Sequence, residues 1–449
     1  MEVTSLKIRN RLRNGFTANS FGFFVNVIAQ VITVPILIFY WGVDLYGEWL
    51  IISAIPAYLN FTNLGLSDAM ATKMTMYVTK KNREKALLLF QSSWKIVTSL
   101  SIVVSLIFIL VATLIPFSSV FNINQINNSE LLIMISLFSI YILLGLQASL
   151  LGGAYRCEGN QPDYVFIYNF TRLLELVIGL SFVALGFGVL ELVSIYVIVR
   201  FVGLIYLLYY LKNKSPWITF TGRVFSFTNV RTIINPSFAS VGFSIGNMFI
   251  NQGVLLIIGA LLGPVSVAMF SVYRTLSRIS LKIIAVFINI FLPEITAAYA
   301  SNKKTILRLL NRKLLGISFQ LLVLALLFLA FFGENIINIW TLNKIEYNNT
   351  LFMFVLIETL TYFLWYCGSV SIVAINKHAK IVVWNLISSF ISLIIMWFAL
   401  TSVGIMGAPI SLSIGNLIVG SFVIFQSIKI TEDSLSKYFK SFLKIYFND

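Results

Sequence analysis

Charge is the scarcest property of this sequence. Only 11% of its 449 residues are Asp, Glu, Lys or Arg, whereas soluble proteins carry about a quarter. This deficit excludes a soluble globular fold. Acidic residues are rarer than basic ones, with 17 against 32, so the formal net charge is +15. A nucleic-acid-binding protein would gather that excess on one solvated face, and here the bases are spread over short loops instead.

Residues that carry catalytic and metal chemistry are also few. The two cysteines, Cys157 and Cys367, show no metal-ligand spacing, so we expect no disulfide, no bound metal and no thiol chemistry. The single histidine, His378, lies in a polar turn. The sequence contains no glycine-rich phosphate loop and no recognisable set of Ser, His and Asp. We therefore expect a protein that is not an enzyme and that needs no cofactor.

Hydrophobic residues make up 58% of the chain and form runs long enough to span a bilayer as helices, which takes about 20 residues each. These runs predict an all-α polytopic membrane protein with about 12 transmembrane helices. The predicted spans are 16–40, 49–70, 87–116, 130–151, 164–185, 189–211, 236–261, 265–292, 314–332, 351–373, 381–400 and 405–425.

Basic residues in the short loops indicate the orientation. They cluster at the N-terminus and in every second loop, whereas the opposite loops contain Lys344 alone. We therefore expect a multi-pass membrane protein with both termini in the cytoplasm. The last residues place apolar side chains at helical spacing against lysines. This pattern indicates either an amphipathic helix on the inner leaflet or a solvated tail helix.

Displacing the sequence by 221 positions aligns its two halves, so that Gly42 falls on Gly263 at the turn between the first two spans of each half. The chain is therefore predicted to contain two six-helix bundles related by a parallel internal repeat, which is typical of transporters. The predicted parts are an N-terminal bundle at 1–211, a cytoplasmic linker at 212–235, a C-terminal bundle at 236–428 and an amphipathic tail at 429–449.

Each half opens with a span that carries a polar stripe. The stripes coincide under the same displacement and are candidate walls of a substrate site, although such side chains also simply bond one helix to another. The residues concerned are Asn26 and Gln30 in the first span and Asn247 and Asn251 in the seventh.

The eighth span carries a basic ladder. Arg274, Arg278 and Lys282 follow one another at four-residue spacing, which places them along one side of a helix. A charge inside a span costs at least about 2.5 kcal/mol unless it is paired or hydrated. We favour an anionic ligand over structural ion pairs, because three bases suit a phosphate or diphosphate.

Other charged residues lie inside spans of both halves. Arg172, Glu175 and Arg200 form either a structural ion network or part of a ligand site. Lys95 lies near a cytoplasmic helix end. It is a further candidate for binding the substrate, or its side chain extends to the membrane interface. The acidic candidates for coupling transport to protons or sodium are Glu48, Asp68, Glu175 and Glu358.

Several segments resemble a known transporter family. They are Leu-Tyr-Gly-Glu-Trp at 45–49, the segments 51–59 and 63–65, Leu-Gly-Pro at 262–264, Val-Tyr-Arg at 272–274 and Phe-Leu-Pro at 291–293. They are similar to lipid-linked oligosaccharide flippases, the O-antigen and related polysaccharide exporters of the multidrug/oligosaccharidyl-lipid/polysaccharide (MOP) superfamily. The resemblance implies alternating access, a location in the bacterial cytoplasmic (inner) membrane and a cationic cavity for the diphosphate of an undecaprenyl-linked sugar repeat. Carried over by position, the cavity cations would be Arg274, Arg278 and Lys282.

The predicted function is the movement of undecaprenyl-diphosphate-linked oligosaccharide, as in O-antigen lipopolysaccharide synthesis, from the cytoplasmic to the periplasmic leaflet. The expected partners are this lipid-linked oligosaccharide, membrane lipid and the polysaccharide polymerase machinery, with no nucleic acid. Two alternatives stay open. One is a multidrug or cation antiporter of the same superfamily, which would need more carboxylates and aromatics in its cavity. The other is an integral-membrane polysaccharide polymerase, which would normally carry a large outer loop.

Overall fold

The computed structural model describes residues 2–63, 65–220, 245–375, 377 and 379–444, and all regular structure within these residues is helical, as predicted. His378 and most of the predicted linker lie outside the described residues, so the predicted domain boundaries remain predictions. The helices are α1 (Glu2–Ala57), α2 (Leu66–Thr79), α3 (Arg83–Leu114), α4 (Phe117–Val120), α5 (Asn128–Cys157), α6 (Gln161–Ala184), α7 (Val189–Lys214), α8 (Ile245–Leu262), α9 (Pro264–Ala300), α10 (Lys304–Trp340), α11 (Asn349–Gly368), α12 (Val370–Val373), α13 (Ala379–Val403), α14 (Gly407–Thr431) and α15 (Leu435–Leu443).

Ten helical segments of the described chain are long and apolar enough to cross a membrane. Two of them, with 67 and 52 residues, far exceed a single crossing of about 20 residues. Each is interrupted at a glycine with positive φ, at Gly42 (φ 80°) and at Gly404 (φ 61°), a conformation that costs glycine little. Dividing these two segments raises the ten to twelve, in agreement with the predicted number.

The internal repeat predicted from the sequence is present in the backbone. Gly42 and Gly263 have the same dihedral angles, φ 80° and ψ 177°. Positive φ values also recur 221 positions apart, at Lys81 and Asn302 and at Asn122 and Asn343. The same displacement relates the first residues of α3 and α10 and those of α5 and α11. The two halves therefore share both their turns and their helix starts.

The chain folds into two compact units, Met1–Val241 and Gly242–Asp449. In the first unit α5 is central and packs against α1, α2, α3 and α7. In the second unit α14 is central and packs against α11 and α13, while α9 packs against α10. Buried apolar side chains such as Phe90 and Tyr155 in the first unit and Val419 and Val423 in the second fill the spaces between these helices.

The second predicted span is not one continuous helix. Helix α1 ends at Ala57, a 3-10 helix covers Tyr58–Asn63, and α2 starts at Leu66 after Gly65. Two local causes account for the break: Pro56 lacks the backbone N–H that a continuing helix needs, and Gly65 adopts the left-handed conformation with φ 61°. The ninth predicted span, 314–332, is also longer than predicted, because α10 continues to Trp340.

The C-terminal helix α15 packs on α10. Phe442 stacks on Phe319 with ring centres 4.9 Å apart, and Tyr438 is fully buried. On its other side Leu435, Phe439 and Leu443 are exposed at the four-residue spacing of one helical face. The tail helix is therefore held to its unit by one face and presents a second, apolar face outward.

Candidate functional site

Arg274 in α9 is a buried cation with unused hydrogen-bond donors. Its side chain is only 7% exposed, and its Nη1 donates to the backbone carbonyl of Ile250 at 3.4 Å. The guanidinium carbon lies 5.8 Å from the ring centre of Phe270. Neither Nε nor Nη2 has a partner among the described residues. A donor left without an acceptor in a buried site costs about 1–3 kcal/mol, so this arginine is poised for an acceptor from a ligand.

The carbonyl that receives Arg274 belongs to an irregular turn of α8. Residues Phe249–Gly253 form a π-helix, a widened turn that occurs frequently at functional sites. Asn251 in this turn accepts a hydrogen bond from Nη1 of Arg278 at 3.4 Å. One residue of the predicted polar stripe of the seventh span therefore contacts the basic ladder. The amino-acid pattern contained no signal of the π-helical turn.

Arg278 is paired. Its Nη2 lies 3.1 Å from Oε1 of Glu358 in α11, and the glutamate side chain is almost fully buried. The ring of Tyr362, one turn further along α11, has its centre 4.8 Å from the guanidinium carbon. Asn416 of α14 donates to the same carboxylate oxygen at 3.4 Å. Sequence reasoning included Glu358 only as an ion-coupling candidate and missed Tyr362 and Asn416.

We call Arg274, Arg278, Glu358 and Asn251 the open cluster. Its two arginines face one carboxylate, so its formal charge is positive. Besides the two nitrogens of Arg274, Nε of Arg278 and Oε2 of Glu358 are buried without a partner in the described part of the chain. Lys282, the third residue of the ladder, is partly exposed and lies one turn further along α9. Chemically, the two unpartnered nitrogens of Arg274 can donate to an anion without loss of the hydrogen bond that Arg274 already makes.

Another buried charge cluster lies in the first unit. We call it the closed cluster, because every nitrogen of its guanidinium has a hydrogen-bond partner. Arg200 in α7 pairs with both carboxylate oxygens of Glu175 in α6, through Nε and through Nη2 at 2.7 Å. Its Nη2 also donates to Tyr141 at 2.6 Å, and its Nη1 donates to Tyr168 at 3.3 Å. All three guanidinium nitrogens of Arg200 are therefore used. Of the two interpretations of this group, the geometry favours the structural ion network.

Arg172 is not part of that network, contrary to the grouping expected from the sequence. Its side chain is exposed and forms no ion pair within the described residues. Arg200 of α7 makes two parallel hydrogen bonds to the two oxygens of Glu175, so the charge of Glu175 is compensated by Arg200 rather than by Arg172 of its own helix.

The remaining predicted residues are dispersed. Asn26 donates to the carbonyl of Gly22 in its own helix at 2.6 Å, and Gln30, Lys95 and Asn247 are partly buried. Buried Glu48 accepts backbone N–H groups of residues 124 and 125, so it anchors the loop before α5. Asp68 is exposed. In the second unit, by contrast, four predicted residues lie close together in the structure, and these four form the open cluster.

One protein family matches most of the chain. Residues 12–297 match the family of polysaccharide biosynthesis proteins. The chain belongs to this family. No curated protein sequence matches the chain significantly. The predicted recognition is confirmed at the level of this family, and solved structures share the fold of the chain.

Those solved structures are transporters and a flippase. An inward-facing multidrug resistance MATE family transporter of the MOP superfamily aligns with a TM-score of 0.73 at 13% identity, covering 94% of this chain and 98% of that one. The lipid II flippase MurJ in an inward closed conformation aligns with a TM-score of 0.70 at 14% identity, covering 95% and 90%. The chain therefore shares the fold of these two proteins, and its helices make it a multi-pass membrane protein.

Proposed function

We propose that this protein moves undecaprenyl-diphosphate-linked oligosaccharide from the cytoplasmic to the periplasmic leaflet of the bacterial inner membrane by alternating access. Its membership of a polysaccharide biosynthesis family supports a sugar-containing substrate, and its fold supports transport. The diphosphate of the substrate binds the open cluster, with Lys282 nearby. The oligosaccharide is the cargo that the polymerase machinery then extends.

The observation that carries this proposal is the unused donor capacity of Arg274. A lone structural arginine would be expected to have its donors satisfied, as Arg200 has. A diphosphate supplies several anionic oxygens, and the planar guanidinium can donate two parallel hydrogen bonds to such a group. The ligand therefore satisfies buried N–H groups that the described protein atoms leave without acceptors.

Glu358 has a defined part in this proposal. In the absence of substrate its carboxylate compensates the charge of Arg278 at 3.1 Å. An arriving diphosphate competes for the same guanidinium, since both are acceptor-only anions. Glu358 thus acts as an internal counter-ion of Arg278. The substrate displaces the carboxylate on binding, and the return of the carboxylate to Arg278 promotes release of the substrate.

The membrane potential supplies direction for this transport. Moving one elementary charge across the membrane is worth about 2.3 kcal/mol per 100 mV. Expelling a head group with two negative charges from a negative interior is therefore favoured by roughly twice that amount at the same potential.

The proposal is tested by complementation in a strain from which the chromosomal gene for this protein has been deleted. Arg274→Ala and Arg278→Ala are expected to abolish surface polysaccharide while the variant proteins still reach the membrane, as measured by immunoblotting. Arg172→Ala is the matched control, because it removes an exposed arginine that has no ion-pair partner in the described part of the chain. Full restoration of surface polysaccharide by Arg274→Ala and Arg278→Ala would count against this site.

A cation or multidrug antiporter is the second candidate, and buried Glu358 beside Tyr362 is the observation that favours it. Such a transporter would depend on the carboxylate rather than on the arginines. Glu358→Gln would then abolish resistance to cationic compounds, and Arg274→Ala would leave it intact. The flippase proposal instead predicts no change in resistance for either variant.

A further inference from the structure

A second basic site lies in the second unit, at the end where α9 and α14 terminate and α10 and α13 begin. A cavity of about 880 Å³ opens there. Five lysines from three separate parts of the sequence line it: Lys303, Lys304, Lys377, Lys380 and Lys429. Within the described part of this unit the lining includes one carboxylate, Glu432, which pairs with Lys304. The lysines therefore exceed the carboxylate by four charges.

Neighbouring bases at the same end of the unit are treated differently. Arg312 forms an ion pair with Asp433, and Nε of Arg308 donates to the carbonyl of Thr431 at 3.1 Å. The four lysines other than Lys304 have no ion-pair partner among the described residues. The mutual repulsion of these lysines is therefore not compensated within the described part of the unit, whereas both adjacent arginines have hydrogen-bond partners. Charge complementarity thus calls for an anion of the size of a phosphate-bearing head group.

The cavity walls are amphiphilic. The lining also includes the apolar side chains of Ile372, Ile381 and Phe422, and the cavity lies where membrane-crossing helices end, which is where lipid head groups are expected. Basic pockets between transmembrane helices on the cytoplasmic side commonly bind anionic lipid head groups. A soluble anion would use the lysines but would leave the apolar wall in contact with water.

We propose that this lysine cavity binds the phosphate of an anionic phospholipid, with the glycerol and first acyl carbons against the apolar wall. The proposal is independent of the transported substrate. It gives the second unit a lipid-binding site on the face that the loop charges predict to be cytoplasmic.

Native mass spectrometry of the full-length protein in neutral detergent tests the proposal, with phosphatidylglycerol as the anionic probe and phosphatidylethanolamine as the zwitterionic one. Phosphatidylglycerol is expected to bind more tightly, and K380Q/K429Q is expected to weaken its binding about 30-fold, since each lysine near an anionic lipid contributes about 1 kcal/mol. The charge-retaining K380R/K429R is expected to bind like the wild type.

The matched control is K80Q/K85Q, which removes two exposed lysines at the equivalent turn of the first unit and is expected to leave binding unchanged. Equal binding of both lipids, or an equal loss in the control variant, would overturn the lysine cavity as a specific site. Inorganic pyrophosphate is the third probe. If it displaces phosphatidylglycerol at comparable concentration, the site takes a soluble anion and the lipid assignment is wrong.

Discussion

The two units of this protein each bury arginine and glutamate inside membrane-crossing helices, with opposite results. In the first unit the three guanidinium nitrogens of Arg200 are bound to Glu175, Tyr141 and Tyr168. In the second unit Arg274 uses one nitrogen, on a backbone carbonyl, and leaves two without partners in the described structure. The difference separates a charge cluster that holds helices together from one that has capacity left for a ligand.

The repeat sharpens this contrast. The units share turn conformations and helix starts, down to the paired angles of Gly42 and Gly263. Arg274 and Arg278 fall on Ser53 and Ala57 of the first unit, so the open cluster is not part of the shared scaffold. The residues that bind the substrate are therefore expected at positions where the two repeats differ, rather than where they are alike.

The largest expected effect is on the closed cluster. Glu175→Ala leaves Arg200 buried without its counter-ion, and breaking a buried pair in this way costs about 3–5 kcal/mol of stability. The measurement is the thermal unfolding midpoint of the purified protein in detergent. The double variant E175L/R200M removes both charges and should recover most of the loss, whereas Arg172→Ala should have almost no effect. An unchanged midpoint for Glu175→Ala would show that the cluster is not structural.

A smaller and qualitatively different effect is expected at the open cluster. Glu358→Gln removes the internal competitor for Arg278, so inorganic pyrophosphate should bind the purified protein about tenfold more tightly, which corresponds to about 1.4 kcal/mol. Isothermal titration calorimetry measures this change. Glu175→Gln is the paired control in the first unit and should leave pyrophosphate binding unchanged. Weaker or unaltered binding to Glu358→Gln would contradict the role of Glu358 as a displaceable counter-ion.

The smallest effect concerns the ion pair that fastens the tail helix α15, outside both clusters. Burial opposes ionisation of Asp433, but hydrogen bonds from Arg312 and from the backbone N–H of Ser434 outweigh it, so the pKa of Asp433 lies below its ordinary value of 3.8. A lowered pKa contributes stability that is present above pH 3.8 and is lost as the pH falls through the pKa of the folded state.

Hydrogen exchange of the α15 amides measures this contribution. Protection should decrease as the pH is lowered below about 4, by an amount that corresponds to about 1 kcal/mol. Arg312→Gln should reduce the protection already at neutral pH and remove most of its pH dependence. Protection that depends equally on pH in Arg312→Gln would assign the effect to another group.

Much of the fold was predictable because the membrane imposes a simple rule. Apolar runs must be helices of a minimum length, and the displacement of 221 positions aligned turns that the structure confirms. The exceptions are local, as at Pro56 and Gly65, where a proline and a left-handed glycine interrupt a hydrophobic run without changing its composition.

The candidate site was predictable only in part. The ladder spacing identified Arg274 and Arg278, since periodicity within one helix is a local property. Their partners lie on other helices, and whether Glu358 faces Arg278 or Arg200 faces Glu175 depends on helix rotation and packing. One sequence does not contain that information. The π-helical turn of α8 could not be predicted either, because nothing in the order of residues 249–253 distinguishes it from a regular helix.

The central claim is that the open cluster, unlike the closed one, binds the diphosphate of a lipid-linked sugar. Its most direct test is the affinity of purified protein for undecaprenyl diphosphate, measured in parallel for the wild type, Arg274→Ala and Arg172→Ala. We expect Arg274→Ala to bind at least about tenfold more weakly, a loss of about 1.4 kcal/mol or more, and Arg172→Ala to bind like the wild type. Equal affinity of all three proteins would contradict the claim.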